Sequence, residues 1–103
     1  MQTSLYMALS TKQRKHLKAL AHHRKPVIQV GNAGVTAPVI REITQALDAH
    51  ELLKIRLPGV ERDTRHALLG EICEAVGAET VQEIGRMAVI YRRAKKPRLK
   101  LPE

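Results

Sequence analysis

Aromatic residues are nearly missing from this 103-residue chain: it has two Tyr, no Phe and no Trp. A core must therefore be aliphatic, and a surface that reads bases by stacking has almost nothing to stack with. Cysteine is as scarce. Cys73 is alone, so no intramolecular disulfide can form, and a reducing compartment fits. It falls among the apolar positions of a helical pattern, where a small buried side chain is its ordinary role. No apolar run approaches the roughly 18–20 residues that span a bilayer. Residues 1–9 carry neither a basic leader nor a long apolar stretch, so a cytoplasmic protein is expected. Ligand and nucleophile patterns are also wanting. His16, His22, His23, His50 and His66 form no H-x-x-x-H pair, and neither a P-loop nor a G-x-S-x-G occurs. No metal, no cofactor and no catalysis are expected.

Acidic residues are absent from positions 1–41, which hold seven basic ones. Positions 42–91 reverse this with five basic and nine acidic, and positions 92–103 hold six basic and one acidic. The net charge of +8 is thus carried by two basic ends around an acidic middle. Such a division implies a positive and a negative side, and a polyanion as partner.

Ser10-Thr11-Lys12-Gln13 has the form of a capping box, and Leu17, Leu20 and Ala21 continue it at helical spacing. Pro26 should stop this helix near His22 or His23. Residues 26–30 read as a short β-branched strand. Thr36 is a credible cap for a second helix through Ile43 and Leu47 to about His50. Leu53, Ile55 and Leu57 alternate with Lys54 and Arg56, which reads as a strand with one wet face. Asp63 or Thr64 can cap a third helix that Gly77 ends. Residues 80–84 and 87–91 make a hairpin through Gly85-Arg86, with glycine placed for a type II′ turn. The order αβαβαββ predicts one α/β domain: a mixed four-stranded sheet with three helices. Its expected limits are residues 9–93, after a flexible leader at 1–8 and before a basic flexible tail at 94–103.

Two features point to nucleic acid. Lys12, Arg14, Lys15 and Lys18 give the first helix a basic stripe with no acid in it, and Arg24 and Lys25 follow. Gly31-Asn32-Ala33-Gly34 then lies between a strand and a helix. Its glycines allow a close backbone approach, and the helix N-terminus behind it favours a phosphate.

The run from Leu9 to His22, then Lys25-Pro26-Val27, then Gly31 to Gly34, strongly resembles the start of the CRM domain. Residues 43–47, residues 50–54 and Ile84-Gly85-Arg86 are similar to the same family, which includes bacterial stand-alone YhbY-like proteins. The resemblance spans about residues 7–93. It implies a fold similar to the C-terminal domain of translation initiation factor 3. It also implies a role on precursors of the large ribosomal subunit; plant relatives act in group II intron splicing. The family's G-x-x-G loop falls on Gly31, Asn32, Ala33 and Gly34. Asn32 and Ala33 stand where many members have a basic residue, which leaves backbone N–H groups as the expected contact. The family's basic surface falls on Lys12, Arg14, Lys18 and Lys25.

The expectation is therefore a monomer that docks on structured RNA, 23S rRNA or its precursor, by shape. Lys12, Arg14, Lys15, Lys18, Lys25, the 31–34 loop, Arg86, Arg92 and Arg93 are the expected contacts. A DNA-binding nucleoid protein shares the electrostatics but should present a groove-reading helix. The acids of the middle segment read as solvated helix faces turned away from the RNA; a protein-interaction adaptor would use them instead.

Overall fold

A computed structural model describes residues 8–26 and 28–103 of the chain. Seven elements follow in the expected order αβαβαββ. Helix α1 (Thr11–His22) opens on its capping box: Gln13 N–H donates to Ser10 Oγ and Ser10 N–H to Gln13 Oε1, both at 3.0 Å. Helix α2 (Ala37–His50) is capped by Thr36, whose Oγ1 accepts from Val39 N–H. Helix α3 (Arg62–Val76) stops at Gly77, which takes φ +70° and donates back to Cys73 O. Its start differs from expectation. Glu61 holds the cap position without a side-chain bond, and neither Asp63 nor Thr64 caps it. The helix begins early because Arg65 N–H bonds Glu61 O at 2.8 Å and the Arg65 guanidinium bonds Val60 O at 2.7 Å. Asp63 sits instead in the first turn, facing the positive end of the helix dipole.

The four strands are β1 (Ile28–Gln29), β2 (Leu52–Arg56), β3 (Glu79–Ile84) and β4 (Met87–Tyr91). They lie in the order β1-β2-β4-β3, with β1 parallel to β2 and the other pairs antiparallel. The expected strand at 26–30 is shorter in the sheet: Val27 lies outside the described residues, and Val30 adds one bond from its N–H to Arg56 O. Gly85 takes φ +56° and Arg86 does not, as a type II′ turn requires.

Helices cover both faces of this sheet. On one, Ile43 and Leu47 of α2 and Leu69, Ile72 and Val76 of α3 pack on Leu53, Ile55, Ala88 and Ile90. On the other, Leu17 and Ala21 of α1 pack on Leu52, Val81, Val89 and Tyr91. Burial of each such aliphatic side chain contributes roughly 1.5–3 kcal/mol. The expected wet face of β2 is therefore largely covered. Lys54 lies beneath α1 and donates to Ala21 O and Arg24 O, while Arg56 stays exposed. A bulge between Thr80 and Gln82 shifts the pairing of β3 with β4.

The two ends of the chain also bear on the expected limits. Residues 1–7 of the expected flexible leader lie outside the described residues. The expected flexible tail is tied down: Leu99 and Leu101 pack against the cluster under α1, and three backbone N–H groups of the tail bond to Glu51. Alternation of Leu99, Lys100 and Leu101 gives the tail the apolar side that its charge concealed.

Candidate nucleic-acid interface

Amphipathic packing decides which of the basic residues of α1 face outward. Burial of Leu17 and Ala21 leaves Lys12, Lys15 and Lys18 exposed, three residues apart along one side of the helix. Arg14 does not join them. Its guanidinium turns to the start of β3, where it pairs with Glu79 Oε2 at 2.8 Å and donates to Thr80 O. Arg24 is likewise engaged, donating to Leu52 O at 3.0 Å, while Lys25 is exposed.

The 31–34 loop divides into an open half and a structural half. Gly31, Asn32 and Ala33 are exposed, and a Cβ on Gly31 would meet nothing within 4 Å. Gly34 is buried, has φ +77°, and gives its N–H to Gly31 O at 2.9 Å. That bond closes the turn, so Gly34 has no N–H left for a ligand. The helix terminus behind the loop offers less than expected too. Pro38 lacks an N–H, Val39 N–H is capped by Thr36 Oγ1, and Ile40 N–H bonds Thr36 O. The N–H groups of Asn32 and Ala33 have no protein partner among the described residues.

Arg86 lies at the same end of the sheet, because β1 and β2 end there and β4 begins there. Its Nε donates to Leu57 O at 3.0 Å and its guanidinium lies over Gly59, where a Cβ would come within 3.6 Å. The side chain remains exposed beside the loop between β2 and α3. Arg93 is exposed as well. Arg92 is placed quite differently from the expected contact. It bridges the two helices of the far face, donating to Val76 O and Thr44 O and pairing with Asp48.

Glu51 escaped the sequence reading, which took the acids of the middle segment as solvated. It is fully buried at the junction of α2 and β2, at φ +62°, and its own C=O accepts Arg92 N–H. Its carboxylate accepts the N–H groups of Ala94, Arg98 and Leu99 at 3.0, 2.6 and 2.9 Å. Burial raises the carboxyl pKa, but these three bonds and the nearby Arg98 charge outweigh it and hold the group below its ordinary value. Arg98 also donates to Ala49 O, and Gln13 of α1 donates to Pro102 O at 3.1 Å. The tail thus lies beside α1 with Lys95, Lys96 and Lys100 exposed. No local motif announces this, since the acceptor and donors stand more than 40 residues apart.

The outcome is a molecule with two electrical sides. Lys12, Lys15, Lys18, Lys25, Arg93, Lys95, Lys96 and Lys100 have no hydrogen-bond or ion-pair partner among the described residues. Helices α2 and α3 on the opposite face hold three basic and five acidic residues. Tyr91 is buried, so it cannot act as a stacking platform. Among the described residues no three His, Cys, Asp or Glu side chains group as metal ligands, and no helix is long and apolar enough to cross a membrane.

Comparison with known proteins adds a third line of observation. Residues 9–92 match the family described as the CRS1 / YhbY (CRM) domain. A Pseudomonas aeruginosa protein named as a probable RNA-binding protein is 46% identical over 91 residues, covering 88% of each chain. A Haemophilus influenzae protein named as an RNA-binding protein is 42% identical over 94 residues, covering 91% of this chain and 95% of its own. A hypothetical protein of Staphylococcus aureus, solved in solution, superposes with a TM-score of 0.80 at 36% identity. That match covers 91% of this chain and 99% of the other.

Proposed function

The chain belongs to the CRS1 / YhbY (CRM) domain family, and from that membership and its surface we propose that it binds folded RNA. The single observation that carries this reading is the segregation of charge. Eight cations without protein partners lie on α1, the segment after it and the tail, while the acids of α2 and α3 face the other way. Closely spaced phosphates attract such a surface, and its cations displace the counterions condensed on the nucleic acid. Two relatives named for RNA binding support the choice of RNA as the polyanion.

The finer reading is a monomer that docks on precursor large-subunit ribosomal RNA and acts in ribosome assembly in the cytoplasm. Lys12, Lys15, Lys18, Lys25 and Arg93 contact phosphates, and the N–H groups of Asn32 and Ala33 approach the backbone beside Arg86. Arg14 and Arg92 act indirectly, by holding α1 to β3 and α2 to α3. Selectivity comes from RNA shape, because no exposed Phe, Tyr or Trp is available among the described residues to stack on bases. Binding, not chemistry, is the activity. Crosslinking in cells followed by sequencing of the attached RNA tests this. Enrichment of large-subunit ribosomal sequences is the expected outcome. Recovery of duplex DNA or of scattered messenger fragments in their place contradicts it.

A further inference from the structure

We infer that the C-terminal tail, residues 94–101, is a preformed part of the RNA-binding surface, held in position by Glu51. This rests on the RNA-binding reading and extends it to a site that the sequence assigned to a loose end.

A fully buried glutamate at φ +62° is costly twice: the backbone conformation favours glycine, and a buried carboxylate loses its water. Three backbone N–H groups replace that water, and all three belong to the tail. The Arg98 guanidinium reaches on to Ala49 O at the end of α2, and Leu99 and Leu101 enter the cluster beneath α1. Gln13 Nε2 binds Pro102 O, which joins the far end of the tail to the first turn of α1. Each of these contacts uses backbone, leucine or arginine. None uses a lysine.

What the pinned tail presents is therefore Lys95, Lys96 and Lys100, all exposed, and Arg93 just before them. Lys100 stands between two inward leucines and faces outward for that reason. The bond from Gln13 brings the end of the tail, 89 residues away in sequence, to the first turn of α1, where Lys12 is exposed. A tail that only needed to be solvated would gain nothing from a buried carboxylate. A tail that must offer cations at fixed positions to a folded polyanion avoids an ordering cost on binding.

The test uses the full chain and an in vitro transcript of large-subunit ribosomal RNA, with affinity measured across a salt series. Three variants are compared: Lys95→Ala with Lys96→Ala and Lys100→Ala; Glu51→Gln with every lysine kept; and Lys12→Ala with Lys15→Ala and Lys18→Ala. Circular dichroism and melting check that each folds. If the tail lysines meet phosphates, their removal reduces the salt slope by roughly two units. Glu51→Gln, if folded, lowers affinity several-fold without removing a cation. An α1 variant that weakens binding while the tail variant keeps the parent's slope overturns the inference and leaves the RNA-binding reading standing. A tail variant that loses slope while folded Glu51→Gln binds like the parent overturns the pinning, since a loose arm would do as well. A parent that does not bind the transcript overturns both.

Discussion

Gly34 lies against Leu68: a Cβ built on the glycine would stand 3.4 Å from Leu68 Cδ2. This contact ties the loop before α2 to the first half of α3. With its φ of +77° and an N–H bonded to Gly31 O, it gives Gly34 a role in the packing and turn of the fold.

Gly34→Ala should therefore lower stability by about 1 kcal/mol or more, while the folded fraction binds RNA nearly as the parent does. Ala33→Asp should do the opposite. It places a negative charge on the open half of the loop, weakening RNA binding with little change in melting temperature. Urea unfolding and RNA titration on the same preparations separate the two. Equal losses of binding per folded molecule would return Gly34 to the contact surface.

Salt dependence follows from the eight unpartnered cations of α1, the segment after it and the tail; Arg41, Arg56 and Arg62 are exposed and unpartnered too but lie on α2, β2 and α3. If all eight meet phosphates, log affinity should fall with log salt with a slope of roughly −6. Filter binding across a fourfold salt range is sufficient. A nearly flat dependence would point to an apolar protein interface instead.

Glu51 gives the stability a defined pH dependence. Its folded pKa lies below the unfolded one, so its contribution is fully present above the unfolded carboxyl value and is lost as pH falls through the folded value. Glu51→Gln should cost about 1–3 kcal/mol at neutral pH, because buried donors lose their ionised acceptor. The gap between parent and variant should narrow as pH drops below about 4. Parallel urea curves at pH 7 and pH 3.5 measure this. A gap that widens in acid would contradict the assignment.

Arg92 and Arg93 are neighbours in opposite settings, the first bonded to α2 and α3 and the second exposed. Arg92→Ala should destabilise the fold by about 1–3 kcal/mol, since Val76 O and Thr44 O lose their charged donor. Arg93→Ala should leave melting unchanged and weaken RNA binding. Reversed results for the pair would mean that the α2 and α3 side, where Arg92 lies, and not the α1 side, meets RNA.

Much of this fold is written in local pattern. Ser10 and Gln13, Thr36, Gly77 and Gly85 each announce an element boundary, because caps and turns depend on residues only a few positions apart. The family was legible for a related reason: the run from Leu9 to Gly34 carries one helix, its basic stripe and the glycine loop together. Long-range pairings were not legible. Arg14 looks like a surface cation until β3 brings Glu79 beside it, across 65 residues. Lys54 seemed to stand on a wet face because nothing in β2 reveals that α1 packs there. Glu51 looked like one more solvated acid, and its partners lie in a segment whose charge disguised two anchoring leucines.

The central claim is that RNA contacts α1, the open half of the 31–34 loop and the tail. Ultraviolet crosslinking of the chain to large-subunit ribosomal RNA, with mass spectrometry of the crosslinked peptides, tests it most directly. Crosslinks should map to residues 11–25, 31–33 and 93–101 and be absent from the outer faces of α2 and α3. Crosslinks concentrated on α2 and α3, with α1 and the tail unlabelled, would contradict the account.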